Sequence, residues 1–301
     1  MTSGVIVERK LLGKARFGAY LALTKPRIIE LLLITTVPSM VIAAQGWPGS
    51  WLIVTTLIGG SLSAAGANAL NCYLDRDIDE VMQRTSRRPL PSHVVTPHSA
   101  LVFGTSLGIL GFLWLGAFTH WLAAAVATAA LLFYVFVYTR WLKRSSDQNI
   151  VIGGAAGAAP ALVGWAAVTG EVNLAAWILF AVVFYWTPPH FWALALRYRD
   201  DYAAAAIPML PVKRGVEATT RQMVIYAGLT AITSLLLVPV AAMGWIYLLA
   251  AIGLGAWFVW GSLRVRREPQ GAMVLFINST YYLALLFLAA MADVLIRSLL
   301  G

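Results

Sequence analysis

Charged residues are scarce in this sequence. Only 12% of its 301 residues are Asp, Glu, Lys or Arg, and 60% are hydrophobic. Soluble domains average about 25% charged residues, so the shortage excludes a soluble globular fold. Three stretches carry no charge at all: residues 47–74, 97–139 and 222–263. A membrane-spanning helix needs about 20 such residues, so the sequence predicts an all-α, polytopic membrane protein.

Cysteine is nearly absent as well. Cys72 is the only one, which excludes an internal disulfide and a metal site of the CxxC type. The N-terminus carries several basic residues, but no short apolar stretch with a cleavage site follows them. We therefore expect no signal peptide and a first apolar segment that stays in the mature protein.

The long apolar runs predict nine spans joined into a single membrane domain over residues 1–301. Uncharged turns such as QGWPGSW, FTHW and AMGW separate them at one end, and charged loops separate them at the other. The predicted spans are 28–45, 51–72, 99–117, 119–138, 149–168, 173–194, 222–242, 245–263 and 274–296.

Basic residues are distributed asymmetrically between the two ends of the spans. Of the 22 Lys and Arg residues, 21 lie in the N-terminal tail (residues 1–25), at the start of the first span or in four loops on one side; Arg297 is the exception. The positive-inside rule places this side, with the tail, in the cytoplasm. The net charge of +9 therefore indicates topology in the cell (inner) membrane rather than a nucleic-acid partner.

Acidic residues are concentrated on the same side, and orientation does not require them. Asn71, Asp75 and Asp79 follow the second span at spacings of four, which places all three along one stripe of a helix, while Asp77 points elsewhere. Oxygen ligands at a helix end suit Mg²⁺, which is usually held by one or two carboxylates together with substrate phosphates. The alternative is a solvated loop edge whose acids offset nearby arginines.

Two features favour the metal site. Asn71 lies inside an otherwise apolar segment, where a polar residue is a functional candidate. Arg84, Arg87 and Arg88 follow at once, as a diphosphate would require.

The motif NxxxDxxxD at the end of a second span resembles the first Asp-rich motif of the UbiA-type intramembrane prenyltransferases. The resemblance implies nine helices around a central cavity open toward the cytoplasmic side. It also implies that Asn71, Asp75 and Asp79 are catalytic and hold Mg²⁺ bridged to the diphosphate of an isoprenoid donor. Arg87, Arg88 and Lys143 would contact that diphosphate.

Four longer strings resemble the haem-farnesylating branch of this family: NCYLDRDIDEVMQRTSRRPLPS, VYTRWLKRSSDQNIVIGGAAGAAPALVGW, WTPPHFWALALRYRDDY and AAIPMLPV. This implies transfer of a farnesyl group from farnesyl diphosphate to the 2-vinyl group of haem B, with addition of water, giving haem O and diphosphate. A haem A synthase or a terminal oxidase would be the downstream partner.

The sequence departs from the family pattern at two places. The second DxxxD motif is replaced by LALRYRDDY, in which Asp201 fits the second position and is implied to be catalytic, but Arg197 replaces the first Asp. A second Mg²⁺ held as in other members of the family is therefore not implied; either Asp200 would help to hold one, or Arg197 would contact phosphate directly. The family's YxxxK is represented by Tyr138 and Lys143, one residue further apart, whereas Thr139 has the matching spacing.

Haem contacts are expected from basic residues and histidines. His190 lies in TPPHFW, where Pro188–Pro189 are expected to break the helix, and an intramembrane His beside such a break is a candidate haem ligand. The alternative is a His that is hydrogen-bonded inside the bundle. His98 would either cap a helix or contact a haem propionate. Lys25 and Arg27 would either anchor the first span at the membrane surface or pair with a haem propionate or the diphosphate.

Other functions remain open at this stage. A prenyltransferase acting on an aromatic or quinone precursor would share the acidic motif. A transporter or haem carrier is less well supported, because its site would lie near the bilayer midplane rather than at the ends of spans.

Overall fold

The structure, a computed structural model, describes residues 16–300, excluding the side chains of residues 27, 28 and 30–33. The first fifteen residues of the predicted cytoplasmic tail lie outside it, as does the side chain of Arg27. A short helix over residues 16–24 is followed by nine longer ones. These are α1 (Pro26–Ala44), α2 (Ser50–Leu74), α3 (Pro97–Phe118), α4 (Trp121–Ser145), α5 (Asn149–Thr169), α6 (Leu174–Arg197), α7 (Gly215–Val240), α8 (Trp245–Arg267) and α9 (Ala272–Leu300).

The predicted all-α membrane architecture is confirmed. Residues 16–300 contain no β-strand, and among them eight helices, α2 to α9, are long and apolar enough to cross a membrane. The apolar part of α1 that can be assessed is Ile34–Ala44. A count of nine spans therefore remains a prediction for α1.

Close packing of α2 against α3 depends on glycine. A Cβ atom on Gly66 would lie 2.7 Å from the carbonyl oxygen of Gly104, and one on Gly111 would lie 2.7 Å from the backbone nitrogen of Ser63. No side chain fits at such distances, so these positions let the two backbones approach, as small residues do between membrane helices.

The expectation that Pro188–Pro189 break α6 is wrong, because the helix runs without interruption from Leu174 to Arg197. Neither proline can donate a backbone hydrogen bond to the preceding turn. Both are buried, however, and the Thr187 hydroxyl donates to the Val183 carbonyl at 2.8 Å within the same turn. Unwinding the helix would leave more backbone groups unsatisfied in an apolar environment than the two prolines do.

The charged loops at one end of the bundle are tied together. Arg144, at the end of α4, bonds the Asp77 carboxylate after α2 through both terminal nitrogens, each at 2.7 Å. Asp201, after α6, accepts hydrogen bonds from the backbone N–H groups of Gln83 at 2.8 Å and Arg84 at 3.3 Å. The loops that follow α2, α4 and α6 thus form one charged surface.

Candidate functional site

Asp75 occupies the junction between α2 and a short helix, Arg76–Val81. Its side chain is only 1% exposed. Oδ2 accepts hydrogen bonds from Lys143 Nζ at 2.5 Å and from Asn71 Nδ2 at 2.8 Å. Oδ1 is buried and has no hydrogen-bond partner among the described residues. The junction keeps helical backbone bonding from Asn71 through Asp75 to Asp79, so the predicted spacing is preserved.

Asp79 is equally buried and is held by Arg88. The Arg88 Nη1 atom lies 2.9 and 2.7 Å from the two carboxylate oxygens. Burial alone would lower the pKa of the Arg88 guanidinium, but the Asp79 carboxylate raises it above its usual value. The arginine therefore stays charged beside the acidic motif.

Asn71 links the motif to two other parts of the chain. Its amide nitrogen donates to Thr139 Oγ1 at 3.0 Å as well as to Asp75, and its amide oxygen accepts from Lys25 Nζ at 2.6 Å. Lys25 adopts a left-handed backbone conformation (φ 52°) just before α1, and burial lowers its pKa. The structure therefore brings Lys25, expected to contact haem or diphosphate, to the acidic motif.

A π-helical segment, Phe133–Leu142, explains the unusual spacing of Tyr138 and Lys143. In a π-helix, residues five apart lie one turn apart, whereas four is the α-helical interval. The Thr139 hydroxyl donates to the carbonyl of Tyr134, five residues earlier, at 2.8 Å. The wider turn lets Thr139 reach Asn71 while Lys143 reaches Asp75, so Thr139 contacts the motif and Tyr138 lines the cavity described below.

Asp77 points away from this cluster, as the helical spacing predicts. Its side chain is 61% exposed and pairs with Arg144. The hydrogen bonds from Arg144 lower the pKa of the Asp77 carboxyl to about 2. Asp77 is therefore exposed, whereas Asp75 and Asp79, two residues away on either side, are buried.

The segment after α6 holds the loop after α2 in place through hydrogen bonds to its backbone. Asp201 holds the loop after α2 through the N–H groups of Gln83 and Arg84. The Arg84 guanidinium lies 5.6 Å from the ring centre of Tyr198, which reinforces the same contact. Arg197 is exposed at the end of α6.

Two further predicted site residues are exposed. Arg87 lies in the loop beside Arg88, and His98 lies in the first turn of α3. Neither is brought into the buried cluster around Asp75.

His190 is buried between aromatic rings. Its imidazole stacks on Trp186 and on Phe276, each with ring centres 4.3 Å apart. Nδ1 lies 2.7 Å from Ser279 Oγ, and the Ser279 hydroxyl donates to the Phe276 carbonyl. The imidazole is therefore hydrogen-bonded inside the bundle, which is the arrangement that the sequence left open as the alternative to a haem ligand. Trp186 also lines the cavity described next.

An apolar cavity of about 250 Å³ lies below the charged cluster. Asn68, one turn before Asn71, lines its upper part together with Tyr134 and Tyr138, whose rings stack 5.3 Å apart. Small residues of α2, α4 and α5 form much of the remaining wall. Sequence reasoning did not single out Tyr134, although its spacing of four residues from Tyr138 places both on one helix face.

The residues of the motif fit a divalent cation. The donors are hard carboxylate and amide oxygens, and Asp75 Oδ1 is a buried oxygen without a partner. Among the described residues no group of three His, Cys, Asp or Glu side chains is close enough to form a complete metal site. The donor set therefore suits an ion whose remaining ligands come from a substrate.

Comparisons with known proteins agree with this geometry. The sequence model of the UbiA prenyltransferase family matches residues 32–280. A protoheme IX farnesyltransferase of Clavibacter michiganensis subsp. michiganensis is 55% identical over 296 residues, covering 96% of this chain and 97% of the relative.

Two solved structures share the fold. A digeranylgeranylglyceryl phosphate synthase superposes with a TM-score of 0.77 at 20% identity, covering 93% of this chain and 99% of that one. A UbiA homolog from Archaeoglobus fulgidus, bound to DMAPP and Mg²⁺, gives a TM-score of 0.64 at 15% identity, covering 90% and 99%.

Proposed function

This chain belongs to the UbiA prenyltransferase family, and we propose that it transfers the farnesyl group of farnesyl diphosphate to haem B. The donor's C1–O bond breaks heterolytically and diphosphate leaves. The 2-vinyl group of haem B attacks the allylic cation, and a water molecule adds to the new cation and loses a proton. The products are haem O, diphosphate and a proton.

One observation carries the proposal: a buried cluster of acids and bases lies directly above an apolar cavity. A prenyl diphosphate has the same division, with an anionic head attached to an apolar chain. The relative at 55% identity is named for farnesyl transfer to protoheme IX, which supports farnesyl diphosphate and haem B as the substrates.

Asn71, Asp75 and Asp79 would hold Mg²⁺. The solved UbiA homolog bound to DMAPP and Mg²⁺ supports a divalent ion in this fold. When bound, Mg²⁺ supplies positive charge to the departing diphosphate. Asp201 would stabilise the loop that carries Arg88, through its two backbone hydrogen bonds.

Basic residues would bind the diphosphate. Lys143 and Arg88 reach the two motif carboxylates, so their charges are already positioned for an anion at the same place. The exposed side chains of Arg87 and Arg197 would contact the outer phosphate. Lys25 reaches the amide of Asn71 and would add a further positive charge.

The cavity would keep water away from the allylic cation until the final step. For the haem we propose contacts with His190 through Nε2, since metal-bound histidines usually hydrogen-bond through their other ring nitrogen, and Nδ1 here is hydrogen-bonded to Ser279. His98 and Arg27 are further proposed contacts, for the haem propionates, and a propionate remains the alternative partner of Lys25.

The enzyme is a multi-pass membrane protein. We propose that the active site and the N-terminus face the cytoplasm, because the charged loops carry nearly all basic residues. Haem O would then pass to a haem A synthase or a terminal oxidase in the same membrane.

Mass spectrometry of extracted haems tests the reaction. Membranes containing the protein are supplied with haem B, farnesyl diphosphate and Mg²⁺, and the expected product is a haem heavier by one farnesyl group plus water. Membranes with the Asp75→Asn variant are the control. Unchanged haem B with the folded wild-type protein would exclude haem as the acceptor, and prenylation of an aromatic quinone precursor would then identify the alternative acceptor.

A further inference from the structure

The wall that α2 presents to the cavity is made of small residues. Between Asn68 and Thr56 the lining residues of this helix are Gly, Ser and Ala, and Gly60 is the one nearest to Thr56. A Cβ atom added to Gly60 would have no atom within 4 Å. The space beside Gly60 is therefore part of the cavity and not a packing contact between helices.

The cavity has a definite depth along α2. Asn68 and Thr56 are twelve residues apart, which corresponds to about 18 Å along a helix axis. The twelve main-chain carbons of a farnesyl group, joined by bonds of about 1.5 Å, extend roughly 14 Å. The eight of a geranyl group extend roughly 9 Å by the same bond length. Gly60 lies about 12 Å below Asn68, at the level that the third isoprene unit would reach but a geranyl chain would not.

The direction of the chain follows from the charged cluster. The prenyl chain is covalently joined to the diphosphate, so it must extend from the basic and acidic side chains into the nearest apolar space. Asn68 lies one helical turn below Asn71 and lines the top of that space. The prenyl chain can therefore pass directly from the charged cluster into this cavity.

We infer that Gly60 sets the length of prenyl chain that the enzyme accepts, by leaving room for a third isoprene unit. This inference rests on the proposed function for the donor class, but not on haem as the acceptor. A bulkier side chain at position 60 would project into the cavity and fill a part that lies far from the charged cluster. The diphosphate cluster itself would be unchanged.

Donor affinity in the absence of an acceptor tests the inference. Dissociation constants of farnesyl and geranyl diphosphate are measured by calorimetry with Mg²⁺ present, for the wild type, Gly60→Ala, Gly60→Val and Gly60→Leu. Gly253→Leu is the matched control, because Gly253 is also a helical glycine with open space at its Cβ but lies on α8 and does not line the cavity.

In Gly60→Leu, the preference for farnesyl over geranyl diphosphate is expected to fall by about tenfold or more, since hydrophobic pockets discriminate by this factor for small changes in bulk. In Gly253→Leu the preference should stay unchanged. Equal weakening of both donors by Gly60→Leu, or an unchanged preference, would overturn the inference. If Gly60→Leu does not purify as a folded protein, the same ratio of farnesyl to geranyl diphosphate affinity is measured for Gly60→Ala and Gly60→Val, and it tests the inference in the same way.

The two proposals fail in distinguishable ways. If the donor preference shifts as expected but no haem O forms, haem is not the acceptor and Gly60 still determines chain length. If haem O forms but the preference does not shift, the chain-length role of Gly60 is wrong and the proposed reaction stands.

Discussion

Asp75 offers the sharpest test of the proposed site, because Asp77 provides a control two residues away. Asp75→Asn removes one negative charge from a side chain that is 1% exposed and accepts from Lys143 and Asn71. Asp77→Asn removes the same charge from a side chain that is 61% exposed. The two substitutions are chemically identical and differ only in environment.

The expected losses differ for activity and for stability. Removing a positioned electrostatic group typically costs a factor of about 10³ in turnover, and we expect at least this loss for Asp75→Asn. The variant also leaves the Lys143 ammonium, 14% exposed, without its carboxylate, which costs about 3 kcal/mol of stability. The Asp77 pair is exposed and contributes less than about 1 kcal/mol.

A double variant separates the two effects. Asp75→Asn combined with Lys143→Met removes the unpaired charge, so the free energy of unfolding should recover toward that of the wild type while turnover stays lost. Turnover is measured as haem O by mass spectrometry, and stability by thermal unfolding in detergent. Turnover by Asp75→Asn within about tenfold of the wild type, or an equal loss in Asp77→Asn, would refute the assignment of Asp75 as a metal ligand.

Three further results are expected. His190→Ala should weaken haem B binding about tenfold in an absorbance titration and leave farnesyl diphosphate affinity unchanged; equal haem affinity would exclude the ligand role. Asp293→Ala should cost about 1–3 kcal/mol of stability, because the buried carboxylate accepts from the Gly244 N–H at 2.6 Å, without changing turnover of the folded fraction. The pKa of Asp77 is lowered to about 2, so its pair with Arg144 should stabilise the protein above about pH 4 and cease to do so near pH 2. Thermal midpoints of wild type and Asp77→Asn should therefore differ at neutral pH and converge near pH 2; a constant difference would contradict the pairing.

Several expectations from the sequence held because they depend on local chemistry. Long runs without charge had to become helices, since a bilayer leaves the backbone few alternatives. The motif from Asn71 to Asp79 keeps its helical spacing even though α2 ends at Leu74. The exposed position of Asp77 follows from the same periodicity.

Other expectations failed or stayed open because they depend on neighbouring helices. Pro188–Pro189 remain helical, since packing around α6 makes continuing the helix less costly than interrupting it. The spacing of Tyr138 and Lys143 looked irregular until the π-helical segment showed a backbone hydrogen bond from the Lys143 N–H to the Tyr138 carbonyl, five residues earlier. Lys25 reaches Asn71 through a backbone conformation that its position before a proline did not predict.

By itself, therefore, the sequence determined the class of structure, the end of the helices at which the charges lie and the residue types available for a metal and a diphosphate. The tertiary structure alone decided which base meets which acid. Lys143 pairs with Asp75 across 68 residues and Arg144 pairs with Asp77 across 67, although both bases are adjacent in the chain. The reason is physical: helical periodicity acts over a few residues, whereas ion pairs between helices depend on how α2 and α4 are rotated and placed against one another.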